Sequence, residues 1–178
     1  MIARPGVDAL EYVVKRAKVP VWMPHGLLGG WLNSGFGCAG DDRDGARAAV
    51  TSMTGPSPVG GAAEILLVAE EPGVGLGARH AGLPGPDPGT GFDAGPPDAK
   101  IEVAGHPTAL WNLPTSDDRA VFVGEAKGHW LWMIIWPAAA GVLMYDALSL
   151  ADLRDGFIEA EIAFGSLSPR LAAAPEAV

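Results

Sequence analysis

Residues 129–136, HWLWMIIW, restrict the fold more than any other stretch of this 178-residue chain. Successive side chains of a strand alternate between its two faces. Trp130, Trp132, Ile134 and Trp136 would then share one face, and His129, Leu131, Met133 and Ile135 the other. A strand apolar on both faces belongs in the middle of a sheet that is covered on both sides. The segment is therefore read first as a core strand. With Trp22, Trp31 and Trp111 it also suggests an aromatic-lined pocket or partner surface. The apolar run continues to Tyr145, which is short of the ~20 residues a spanning helix needs, and Pro137 and Gly141 interrupt it. The expectation is a strand, a PAAAG turn and a second strand, VLMY.

The rest of the chain divides into short runs separated by glycine and proline. Residues 5–18 predict a helix, with Val7, Leu10, Val14 and Ala17 at helical spacing and Pro20 as a stop. VPVWMPHGLLGGW reads as an extended crossing. WLNSGFGCAG, ARAAVTSMTG and AAEILLVAEEP read as strands, and GVGLGARHAG as a further strand edge. Residues 82–99, GLPGPDPGTGFDAGPPDA, predict a long, loosely held loop. AKIEVAG, PTALWNL, RAVFVGEA and HWLWMIIW continue the strands. SLADLRDG predicts a short helix capped by Ser149 and stopped by Gly156, and FIEAEIAFG alternates as a strand. Many short strands and two helices argue against alternating parallel units. The reading is α+β: one domain over residues 1–170, mainly an antiparallel curved sheet, with an N-terminal helix and a short C-terminal helix packed on one side. Residues 171–178 form a flexible tail.

Charge and cysteine content remove several function classes. The net charge is −9, which disfavours binding to a phosphate backbone or to an anionic membrane surface. Cys38 stands alone, so neither a disulfide framework nor a cysteine zinc cage is expected. The four histidines, His25, His80, His106 and His129, lack metal-pair spacing, so no metal or other cofactor is expected. The first residues show no apolar stretch of signal-peptide length, and a cytoplasmic location is the default expectation.

The remaining motifs are weak. GDDRDG, residues 40–45, lacks the ligand spacing of a calcium loop and reads as a solvated hairpin turn. GVGLGA departs from the dinucleotide spacing, and a glycine- and proline-rich stretch follows where a helix should begin. No nucleophile elbow is complete. Arg79 and His80, beside the long loop, are the best local candidates for holding an anionic group.

Taken together, VPVWMPHGLLGGW, CAGDDRDGARAAV, LLVAEEPGVGLGARHAG, DRAVFVGEAKGHWLWMIIWP and LADLRDG…SLSPRL resemble, over nearly the whole chain, an uncharacterised actinobacterial family. The resemblance implies an N-terminal cysteine zinc ribbon in many members, and this chain lacks those cysteines. Some members carry a phosphotransacetylase-like name, for which the chain shows no phosphate loop or acyl-transfer site. The order of the elements is also similar to that of curved-sheet domains of the lipoprotein-carrier and anti-sigma-regulator type, which hold an apolar ligand or a peptide on the concave face. Such a likeness concerns fold alone.

Two functional readings follow. One is a non-enzymatic binding or regulatory domain with a protein or small-molecule partner, working through the sheet face and the loop. Its candidate ligand-binding residues are Arg79, His80, His106, Trp22 and Trp111. The other is a small-molecule enzyme using Asp41, Asp42, Arg79, His80 or His106. The oligomeric state is left open by both.

Overall fold

A computed structural model describes residues 2–25, 27, 29–41, 43–156 and 162–172. Ten strands form one curled sheet: β1 (Ile2–Ala3), β2 (Trp22–His25), β3 (Leu32–Asp41), β4 (Gly45–Pro56), β5 (Ala62–Glu70), β6 (Ala99–Val103), β7 (His106–Asn112), β8 (Ala120–Ala126), β9 (His129–Trp136) and β10 (Ser149–Asp152). Their order across the sheet is β1-β3-β4-β5-β9-β8-β7-β6-β10-β2. Every named pair is antiparallel except β6 and β10. The described residues also include the α-helices α1 (Val7–Arg16), α2 (Leu76–Ala81) and α3 (Pro169–Ala172).

As its two-sided pattern requires, β9 lies inside the sheet between β5 and β8. Leu131, Met133 and Ile135 face the concave interior, where they meet Leu10 and Val13 of α1 and Trp22 and Met23 of β2. The curl brings the edge strand β2 across from β4 and β5, and the interior is filled. Trp132, Ile134 and Trp136 face outwards into a second cluster with Ala78 and Ala81 of α2 and Leu171 of α3. Both faces of the sheet are therefore covered. The concave face is a packed core, not an open ligand surface.

Several elements differ from the sequence reading. The expected strand edge after Glu71 is α2, whose start is held by a distant group: Glu70 Oε2 accepts the Leu76 and Gly77 amides at 2.7 and 3.2 Å. Gly77 is needed for its seat, because a Cβ there would lie 2.2 Å from the Trp132 ring. The expected strand VLMY belongs to a 3-10 helix, Ala138–Tyr145. Its small residues allow close approach to β8, and a Cβ on Gly141 would meet Ala120 at 2.8 Å. SLADL is mostly strand β10, drawn into the sheet by β2 and β6. Only Leu153–Asp155 turns helically; it is capped by Asp152 rather than Ser149, and Gly156 follows it as expected.

Ala99, expected at the end of the long loop, opens β6. The loop itself is pinned. Phe92 packs edge-on against Trp111 and Trp130, with centroids 5.8 and 5.7 Å apart. Asp87 accepts the Gly73 amide and the Trp130 indole N–H, and Gly95 accepts the Trp111 indole N–H. Leu171, expected in a flexible tail, is buried in α3. The alternating pattern read in FIEAEIAFG lies largely outside the described residues.

Candidate functional site

The outer face of the sheet carries two adjoining depressions that share Asp118, Trp136 and Arg170. The first, of about 360 Å³, is lined by Arg79, His80, Asp118, Arg119, Trp136 and Arg170. The elements bring these residues from four parts of the chain: α2 supplies Arg79 and His80, the β7–β8 connection Asp118 and Arg119, the end of β9 Trp136, and α3 Arg170. Three of the chain's eight arginines thus meet at one place in an acidic protein.

Trp136 organises them. The Arg119 guanidinium lies 5.3 Å from the Trp136 ring centroid and that of Arg170 4.5 Å, within cation–π range. Asp118 grips Arg119 through two hydrogen bonds, Nε to Oδ1 at 2.6 Å and Nη2 to Oδ2 at 2.9 Å. Arg119 Nη1 donates to the His80 carbonyl at 2.7 Å and so ties α2 to the site. This grip lowers the Asp118 pKa to about 2. Arg170 is less committed. Its Nε lies 3.6 Å from Glu64 Oε2, beyond hydrogen-bond distance.

Glu64 anchors the floor. Its Oε1 accepts the Ser52 hydroxyl at 3.0 Å and also that of Ser168, and Ser34 and Ser52 hydroxyls are 2.8 Å apart. The Arg170 guanidinium thus rests on a buried carboxylate whose other oxygen is occupied.

His80 is mostly enclosed, and its Nε2 has no hydrogen-bond partner among the described residues. Burial, with the Arg79 and Arg119 charges, lowers its pKa to about 4. At neutral pH it is an uncharged imidazole near the Arg79 and Arg119 cations.

The sequence candidates separate in space. Arg79 and His80 fall together in the depression. His106 is exposed at the β6–β7 turn, on the opposite side of the sheet order from β4 and β5. Trp111 is half-buried under Phe92. Trp22 is 2% exposed in the inner core, so it has no surface to offer a ligand. Asp41 caps the β3–β4 turn, accepting the Arg43 and Asp44 amides at 2.9 and 2.6 Å, as the solvated-turn reading expects. Asp42 lies outside the described residues. Arg119 and Arg170 were not singled out from sequence. No local pattern marks either, and only the fold brings them to Arg79.

Among the described residues no cluster of histidine, cysteine or carboxylates fit for a metal occurs, and no helix is long and apolar enough to cross a membrane. The start of α2, where a dinucleotide phosphate would sit, is occupied by the Glu70 carboxylate. Residues 1–171 match a family model described as a family of unknown function (DUF6758), in line with the resemblance drawn from motif order. No curated protein and no solved structure matches the chain.

Proposed function

We propose, for a chain that belongs to this family of unknown function, a binding role: it holds a small anion in the depression around Trp136. The observation that carries the reading is that Arg79, Arg119 and Arg170 line one depression, the last two over the Trp136 indole, in a chain of net charge −9. Guanidinium groups suit carboxylates and phosphates because their planar donors match paired oxygens. Arg119 is held rigid by Asp118, and Arg170 presents a guanidinium whose contact with Glu64 is long.

A binding role is favoured over the enzyme alternative by what surrounds the site. The Ser168 hydroxyl is buried and committed to Glu64, and His80 is held neutral and enclosed. Asp41 and His106 belong to turns that do not line the depression. The lone cysteine agrees with a reducing, cytoplasmic setting.

The test is a titration of the full chain with inorganic phosphate and with acetate, followed by NMR at the Trp136 indole N–H and the Arg119 side chain. Saturable shifts are expected. Arg79→Gln and Arg170→Gln should each weaken binding by about tenfold, the worth of one charged hydrogen bond. The absence of saturable shifts, or affinities untouched by both substitutions, would remove the reading.

A further inference from the structure

The second depression, of about 350 Å³, continues from the first past Trp136 and Pro137 to Ala62, Ala63 and Thr54. A third, of about 390 Å³, shares Thr54 and Ala62 and runs on to Gly30, Leu32, Gly55, Pro56 and Gly61. The three form one trough across the end of the sheet. Its line follows the strand register: Trp136 pairs with Glu64, Glu64 with Thr54, and Thr54 with Leu32. These are three inter-strand steps of about 4.8 Å each. The trough is therefore roughly the length of an extended medium-chain alkyl group.

Its ends differ in chemistry. Three arginines stand at one end. At the other, glycine, proline and alanine leave a shallow apolar floor, and Leu32 is 37% exposed. The acid along the way is spoken for: Glu64 is bound by Ser52 and Ser168 and faces Arg170. Trp136 is nearly enclosed, with two guanidiniums over its ring, so little indole face remains for stacking a flat ligand. An aliphatic body fits such a floor better than an aromatic one.

We infer that the trough takes an elongated amphiphilic anion, an alkyl carboxylate, with its charged group at Arg79, Arg119 and Arg170 and its chain lying over Pro137, Ala62 and Thr54 towards Leu32. This rests on the anion-binding reading above and adds the ligand class.

The experiment compares acetate, octanoate and octan-1-ol on the full chain at constant ionic strength, below the micellar range, with backbone and side-chain NMR shifts as readout. Octanoate should bind at least tenfold more tightly than acetate, since even partial burial of six further methylenes is favourable. Its shifts should extend from the Arg119 side chain and Trp136 indole to the amides of Gly61, Ala62 and Leu32, whereas acetate should move only the arginine end. Ala62→Asn, a neutral polar change at an exposed position, should bring octanoate down towards the acetate level. Octanoate binding no tighter than acetate overturns the inference and leaves the anion site standing. Octan-1-ol binding as tightly as octanoate overturns it as well, because the charge is then not read. If neither acetate, octanoate nor phosphate produces saturable shifts, both readings fall.

Discussion

At the scale of single residues, two buried carboxylates are held by different partners. Glu70 is fully enclosed, and burial outweighs the Leu76 and Gly77 amides and the Trp132 indole, raising its pKa to about 7. A raised carboxylate pKa means that the folded state holds its proton more tightly than the unfolded chain. The associated stability is fully present below the ordinary glutamate range near pH 4.5 and is lost as pH rises through about 7. At one unit per 1.36 kcal/mol the loss amounts to roughly 3 kcal/mol. Glu70→Gln keeps an oxygen for the two amides and removes the titration. Denaturation of both proteins from pH 5 to 8 should show the wild type losing stability relative to the variant as pH rises. A constant difference between them would show that Glu70 does not titrate there. The partners of Glu64 are hydroxyls and an arginine. Glu64→Ala would remove the buried acceptor that Ser52 and Ser168 share and the carboxylate that faces Arg170. A loss of about 2–4 kcal/mol in denaturant midpoint measurements is expected.

At the scale of elements, the segments that the sequence pattern does not reveal are those held by tertiary contact. β5, β8 and β9 are legible because each is a nearly continuous apolar run, buried on both faces of the sheet. Helix α2 has six residues, two of them Gly77 and Arg79, and no apolar period long enough to read. It exists because Glu70 satisfies its first amides and Trp132 receives Gly77. Gly77→Ala should therefore cost about 1–3 kcal/mol, the range for overpacking a filled interior, and should weaken anion binding by displacing Arg79. Unchanged stability would mean that α2 can shift without loss. The C-terminal arm shows the same dependence. Asp152 is buried, yet the Arg154 fork, Lys127 and the Val21 amide overcome its desolvation and hold its pKa near 2. Its stabilisation is present above the ordinary aspartate pKa near 3.8 and is lost as pH falls through about 2. Asp152→Asn should flatten the acid limb of the stability curve over that window, as followed by circular dichroism.

At the scale of the whole molecule, β9 is where sequence and structure agree most closely, and the site is where they part. Two-sided cover follows from a strand apolar on both faces, and antiparallel order from many short strands with few helices between them. The arginine cluster is invisible in one dimension, because its members lie in α2, in the β7–β8 connection and in α3. The long loop misleads for a related reason: its glycines and prolines forbid regular structure but not packing. Phe92 holds it down over Trp111 and Trp130, while Trp22, Trp31, Trp132 and Trp136 are buried without its help. The native chain should therefore show blue-shifted tryptophan emission that acrylamide quenches weakly. Phe92→Ala removes the cover from two of the six indoles. It should shift emission to the red, raise the quenchable fraction and cost about 3 kcal/mol, the lower end for losing a packed phenylalanine. A variant with native emission and quenching would show that Phe92 does not shield these indoles and that the loop lies over the sheet without sealing it.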